Sequence, residues 1–281
     1  IMSIHPRTEI DPSAMIADNA TVGPGVVIGP NSVIEAGAEI GPNVVLGPNT
    51  TIREGARIFP GAVIGTEPQD FKYDGAPTVC EIGLRSIIRE YCTINRGTKA
   101  SGATIIGQDC MLMSYTHVGH DCRIGNHVVT ASGVALGGHV HVGDGVNIGG
   151  ITGVHQFVRI GTLAMIGGAS GLRQDAPPYM ITAGAPPAVV FGVNVIGLRR
   201  NGIPPESRVL IKEAFRLLYR SGLNKTMALA KIDNELEKTV EIEHLLEFFR
   251  SSKRGIARGH LEGPEPDGEA REHEKQTQQL A

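Results

Sequence analysis

No tryptophan occurs in the 281 residues, and the aromatic content is only 4%. A core of large rings is thereby excluded. The hydrophobic share is an ordinary 41%, so the interior must be built from small and β-branched side chains. No apolar run approaches the ~18–20 residues that cross a bilayer as a helix, so the chain is not expected to span a membrane. A dominant charge is lacking too: the net charge of −3 gives no basic footprint for nucleic acid as the main partner. The four cysteines, Cys80, Cys92, Cys110 and Cys122, form no CxxC pair. They read as reduced, buried small residues of a cytoplasmic protein. Residues 1–11 already carry His, Arg, Glu and Asp, so no signal peptide is expected there.

What the chain has instead is glycine, 37 residues of it, and a period of six. Of the 29 positions from Ile4 to Leu172 taken six apart, 25 carry Ile, Leu or Val; the exceptions are Asp70, Ala76, Ala100 and Thr130. Gly often follows the aliphatic residue, as at Gly29, Gly41 and Gly125, and a small side chain recurs four residues after it, as at Ala20, Ser32, Ala38 and Cys92. This period is neither helical nor a simple alternation. It marks a hexapeptide β-helix, in which each hexad forms one side of a triangular coil and Gly or Asn turns the corners. Three hexads make one turn, and turns stack at the ~4.8 Å spacing of neighbouring strands. The fold class is therefore mainly β, a parallel β-helix over 1–190. Two loops leave it, at 66–81 and 95–105, and each interruption keeps the count in step.

The rest of the chain differs. Pro177-Pro178 and Pro186-Pro187 read as a rigid linker. Helices are expected from Pro204-Pro205-Glu206-Ser207 to Gly222, over Ala228–Leu236 and over Val240–Phe249, giving a C-terminal α-helical domain over 191–255. The charged stretch 256–281 has little apolar content and reads as disordered.

Stacking residues 18 apart turns the repeat into columns. His120, Gly138 and Gln156 share one, and Asp121, His139 and Phe157 the next. His117 and His155 lie close by. A single corner histidine is usually a solvated turn residue, but four on one edge beside Asp121 point to chemistry. Imidazole is suited to proton removal near neutrality, with an unperturbed pKa of ~6.5. His120 is the candidate general base, with Asp121 or a backbone carbonyl holding its tautomer. Gly138 leaves a gap beside it, and its N–H is the candidate oxyanion donor for acyl transfer from a thioester to a hydroxyl. His127 and His141, in other columns, read as ordinary turn residues, as do His5, His244, His260 and His273. The polar loop from Glu67 to Gly75 and the cationic stretch Asn95–Lys99 are places where binding residues collect.

Several strings together carry a resemblance. They are Gln69-Asp70-Phe71-Lys72-Tyr73, Ile94-Asn95-Arg96-Gly97-Thr98, His117-Val118-Gly119-His120-Asp121-Cys122, Val154-His155-Gln156-Phe157 and Phe191-Gly192-Val193-Asn194. Over about residues 4–255 the sequence resembles the UDP-N-acetylglucosamine O-acyltransferases of lipid A biosynthesis. The resemblance implies a left-handed coil and a homotrimer with active sites between subunits. It implies transfer of an R-3-hydroxyacyl chain from acyl carrier protein to the 3-hydroxyl of UDP-N-acetylglucosamine, without cofactor or metal. It gives His120 the role of base, Asp121 that of its orienting partner and Gly138 that of oxyanion donor. Gln69, Asp70, Lys72, His117, His139, His155 and Gln156 fall around the substrates, and Asn194 and Arg200 at the nucleotide end. Gly168 matches a position that limits acyl length, so glycine there implies a long groove. Arg199, Arg200, Arg208 and Lys212 are basic residues that could meet the acidic carrier.

The sequence departs from that pattern before Phe191, at Ile196 in place of an acidic residue and at Asn201 in place of a second Arg. The departures leave a 3-amino analogue of the sugar open as acceptor. Three rivals use the same repeat or surface. The sister N-acyltransferase carries a separate domain before its hexads, whereas here they start at Ile4. A γ-type carbonic anhydrase would need an H-x4-H zinc pair, which is missing. A non-catalytic carrier-binding protein would show no turnover.

Overall fold

The computed structural model describes residues 3–260. The hexads form three sheets of eleven, nine and eight strands, most of them two residues long. In the first sheet ten strands run parallel, a prism ~43 Å long at the usual strand spacing. Each coil visits the first, second and third sheet in turn. Registers such as His117↔Ala135↔Gly153 and Arg123↔His141↔Arg159 step by 18. The period skips at the two loops, where Ile64 pairs with Ile94 and Ile82 with Ile106. Asp70 and Ala100 have left the coil there, which is why they broke the repeat. Thr130 has not. It sits buried in the aliphatic column, its hydroxyl 2.9 Å from that of Thr116.

The interior is a stack of Ile, Val, Leu, Ala and Cys, with Ile64, Ile82, Ile88, Ile94 and Ile106 wholly enclosed. Cys80, Cys92, Cys110 and Cys122 are buried free thiols. Burial pushes Cys80 and Cys122 up to about 12, so they are inert filling.

The two corner positions divide the labour differently from a simple glycine-turn picture. The left-handed backbone falls three residues after the inward aliphatic, at Asn31, Asn43, Tyr91, Asp121, His139 and others. The glycine that directly follows the aliphatic serves close packing instead. A Cβ on Gly119 would lie 2.8 Å from the Gly138 nitrogen of the next coil.

The coil runs further than its hexads. Met180–Ala183 adds a tenth parallel strand, because Ile166 pairs with Thr182, sixteen residues on. That shortened turn hid the strand in the segment read as a proline linker. Val189–Val193 then returns antiparallel. Four helices follow: α1 (Val195–Arg200), α2 (Pro205–Tyr219), α3 (Lys225–Glu235) and α4 (Val240–Arg250). The six-residue α1 carries too few turns to leave a periodic signal in the sequence. Leu198, Ile211, Leu217, Ile242, Leu245 and Phe249 form one cluster with Leu163, Tyr179 and Met180 of the last coils. The helices thereby cover apolar surface that an open solenoid end would expose. Residues 256–260 are not a loose tail: Ile256 bridges to Asp175 and Gly259 to Val190. The rest of the charged segment expected to be disordered, with His273, lies outside the described residues. Among the described residues no helix is long and apolar enough to cross a membrane.

Candidate active site

His120 stands at the edge between the second and third sheets, where the strand His117–Val118 turns into Arg123–Ile124. Its Nδ1 lies 2.7 Å from Oδ2 of Asp121. Asp121 has left-handed backbone and a fully enclosed carboxylate. Oδ1 accepts the N–H of Thr98 at 2.9 Å and the hydroxyl of Ser101, and Oδ2 accepts the Thr98 hydroxyl at 2.7 Å. Its own N–H donates to Thr104 Oγ1 at 2.8 Å. Burial alone would raise this carboxyl, but the hydrogen bonds from Ser101, His120 and Thr98 outweigh it and hold the group well below the usual carboxylate range. An ionised Asp121 fixes the proton of His120 on Nδ1 and leaves Nε2 with a free lone pair.

The gap expected beside His120 is filled by its own ring: a Cβ on Gly138 would lie 2.6 Å from Nε2. Gly137 and His139 donate their N–H groups to Val154 and His120 in the adjoining coils, while Gly138 between them does not. The same hexad position is Pro at 24, 30, 42, 48 and 60, since the ladder needs no donor there. The Gly138 N–H is thus free to meet a ligand next to Nε2.

His139 packs edge-on against His120, with ring centroids 5.1 Å apart, and stacks on Phe157 at 4.4 Å. Its Nε2 is 3.5 Å from Oδ2 of Asp121. Burial lowers the pKa of His139, partly offset by Asp121, so it is a neutral neighbour of the dyad. His117 is held 2.7 Å from Thr93 Oγ1 and is also lowered, by burial first and His120 second. Gln156 is exposed one coil from Gly138. His155 lines a trough on the second sheet with His117, Ala135, Gly153 and Gly171.

In the first loop Gln69 and Lys72 are exposed, and Asp70 accepts the Lys72 N–H at 3.0 Å. The charge of Asp70 acts to raise the pKa of His139, after burial, Asp121 and His120. Three residues do not join this cluster within one chain. Gly168 lies at the other edge of the second sheet, beside Gly150. Asn194 caps α1, its Oδ1 accepting from Gly197 and its Nδ2 donating to Leu163. Arg200 is exposed in the last turn of α1. The sequence columns place Ser101 on this same corner, and Thr98 falls in the loop stretch where binding residues collect, but neither these nor Thr104 is legible there as a partner of Asp121. Their signal was faint: hydroxyl residues where the second loop rejoins the corner that Asp121 occupies.

His120, Asp121 and His139 each bring one ligand atom within 4.8 Å of the others, a spacing a metal ion could use. The Asp121 oxygens, however, already take four short contacts from Thr98, Ser101 and His120. A carboxylate saturated in this way is built to orient an imidazole.

Residues 2–36, 31–66 and 103–138 match the bacterial transferase hexapeptide family. Residues 175–257 match the second domain of UDP-N-acetylglucosamine O-acyltransferase. The acyl-[acyl-carrier-protein]–UDP-N-acetylglucosamine O-acyltransferase of Paracidovorax citrulli is 50% identical over 262 residues, covering 91% of this chain and 99% of that protein. The chain belongs to the UDP-N-acetylglucosamine O-acyltransferase family. Membership brings the left-handed sense of coiling and the acyltransferase class that the hexads and motifs implied. Two solved members match along nearly their whole length. The Moraxella catarrhalis enzyme has a TM-score of 0.87 at 42% identity, over 91% of this chain and 99% of that one. The Francisella novicida enzyme has a TM-score of 0.88 at 37% identity, over 94% and 95%.

Proposed function

We propose that this enzyme transfers an R-3-hydroxyacyl chain from acyl carrier protein to the 3-hydroxyl of UDP-N-acetylglucosamine, the step that opens lipid A synthesis. The observation that carries the mechanism is the His120–Asp121 contact of 2.7 Å beside the unused Gly138 N–H. Nε2 of His120 removes the proton from the sugar hydroxyl as its oxygen attacks the thioester carbonyl. The Gly138 N–H stabilises the oxyanion of the tetrahedral intermediate. Collapse breaks the C–S bond, and the imidazolium returns the proton to the departing thiolate of the carrier. Asp121 stays ionised and keeps the imidazole oriented. No side-chain nucleophile is needed.

Gln69, Asp70, Lys72, His117, His139, His155 and Gln156 surround the substrates in this reading. Asn194 and Arg200 serve the nucleotide, Gly168 bounds the acyl groove, and Arg199, Arg208 and Lys212 help to meet the acidic carrier. Gly168, Asn194 and Arg200 lie apart from His120 within one chain, so the reading requires another copy to complete each site. A homotrimer supplies it. Its support is an exposed apolar column at the edge between the first and second sheets. Tyr91 and Tyr115 are stacked there at 5.4 Å, and Ile151 is 79% exposed. Stranded apolar surface of this kind marks an interface. The four buried free thiols fit a cytoplasmic enzyme.

The test is acyl transfer from a 3-hydroxyacyl carrier protein to UDP-N-acetylglucosamine, wild type beside His120→Ala, with product mass. Transfer that collapses in the variant supports reaction and base together. No transfer by the wild type overturns the O-acyl reading, and the 3-amino sugar then replaces the acceptor in the same assay.

A further inference from the structure

The outward column of the third sheet holds Arg123, His141 and Arg159 in direct register, one strand spacing apart. Stacked cations repel, and several other arginines of the prism are matched. Arg53 is bridged by Glu35 and Glu81, Arg57 by Glu39, Arg85 by Asp109 and Arg89 by Glu90. Among the described residues no carboxylate bridges Arg123 or Arg159. Arg159 is fixed nonetheless: its guanidinium lies 4.4 Å over the Phe248 ring and 2.9 Å from Ser251 Oγ of the chain just beyond α4. Arg123 donates only a long 3.5 Å bond to the Ser101 carbonyl.

Two clefts of about 470 and 530 Å³ meet at His141 and Arg159. The first runs under His244 and Phe248 of α4; the second joins His139 and Phe157 of the catalytic edge to Lys253 and Arg254. Asp175 also lines the second cleft. It is buried, however, and its oxygens accept the Arg159 N–H and the Ser252 hydroxyl at 2.8 Å. Read from sequence alone, His141 and His244 were solvated turn and surface residues. The fold puts both on the first cleft with Arg123 and Arg159, and the second cleft, which shares His141 and Arg159, reaches His139.

We propose that Arg123, His141 and Arg159 form an anion site that takes a phosphoryl group of a substrate. The proposal rests on the acyl-transfer reading for its two sources, the diphosphate of the sugar nucleotide and the phosphodiester of the carrier's prosthetic arm. Planar guanidinium forks suit phosphate oxygens, and His141 between them adds a donor. Its pKa is lowered by burial first and then by Arg159 and Arg123, in keeping with a positive potential that an anion would relieve.

The probe is inorganic pyrophosphate, titrated into the full-length enzyme by calorimetry at low salt. Arg123→Gln is the main variant, since its side chain makes only the one long hydrogen bond; His141→Gln is the second. Pyrophosphate binding that weakens about tenfold in each variant is the expected result, the loss of one charge-assisted hydrogen bond. Absent binding, or equal binding by all three proteins, overturns the site. Steady-state kinetics separates the sources, with kcat unchanged. A raised KM for the carrier alone assigns the phosphodiester; a raised KM for the sugar nucleotide alone assigns the diphosphate. Both KM values unchanged overturns the substrate role. A wild type without transfer would sink the acyl-transfer reading, and the pyrophosphate titration would still decide the site.

Discussion

Thr98 grips Asp121 twice, through its N–H at 2.9 Å to Oδ1 and its hydroxyl at 2.7 Å to Oδ2. The second loop thus serves as the clamp of the catalytic dyad. Thr98→Val removes the hydroxyl donor and leaves the backbone bond. With Ser101→Ala added, the carboxylate loses two of the donors that offset its burial, and its pKa rises. The imidazole is then held less firmly by its partner, and kcat is expected to fall in the double variant. An unchanged kcat would show that the clamp does not govern the orientation of His120.

The same carboxylate contributes to acid stability with a definite sign. Its folded pKa is depressed below the ordinary value of 3.8, so its contribution is full above that value. The contribution is lost as the pH falls through the lower folded value. Asp121→Asn should therefore be less stable than wild type at neutral pH, and the gap should close below about pH 4. Denaturant unfolding at pH 7 and pH 3 measures it.

Gly138→Ala puts a methyl group 2.6 Å from His120 Nε2. Glycine at this position has no left-handed backbone to protect, so the chain should fold. The ring must swing away, and a displacement of about 1 Å costs on the order of a hundredfold in rate. The expected signature is a fall in kcat with little change in melting temperature.

Ile94 lies wholly enclosed in the stack, next to the loop that carries Thr98. Ile94→Ala should lower stability by about 2–5 kcal/mol through lost burial and a residual cavity. Urea unfolding is the check, and a loss under ~1 kcal/mol would mean that the coil collapses around the gap.

Ile151 is 79% exposed and has left-handed backbone, a conformation that a β-branched residue adopts only when its surroundings impose it. Ile151→Lys should split the proposed trimer, read as a fall in mass by light scattering.

The repeat by itself determined the coil, because inward aliphatic residues every six positions can be buried together in no other regular backbone. It also determined the column of His120 and Gly138, since residues one turn apart must stack wherever the period holds. It failed where the period failed: at Met180–Ala183, where a turn closes in sixteen residues, and at the six-residue α1. The clamp on Asp121 was beyond it, because Thr98 reaches the carboxylate from a loop whose path no period describes. Only the tertiary structure decided that Arg123, His141 and Arg159 share a cleft with Phe248 and Ser251 of the helical end. The packing of α4 on the prism depends on contacts about ninety residues apart, which hexad counting cannot carry.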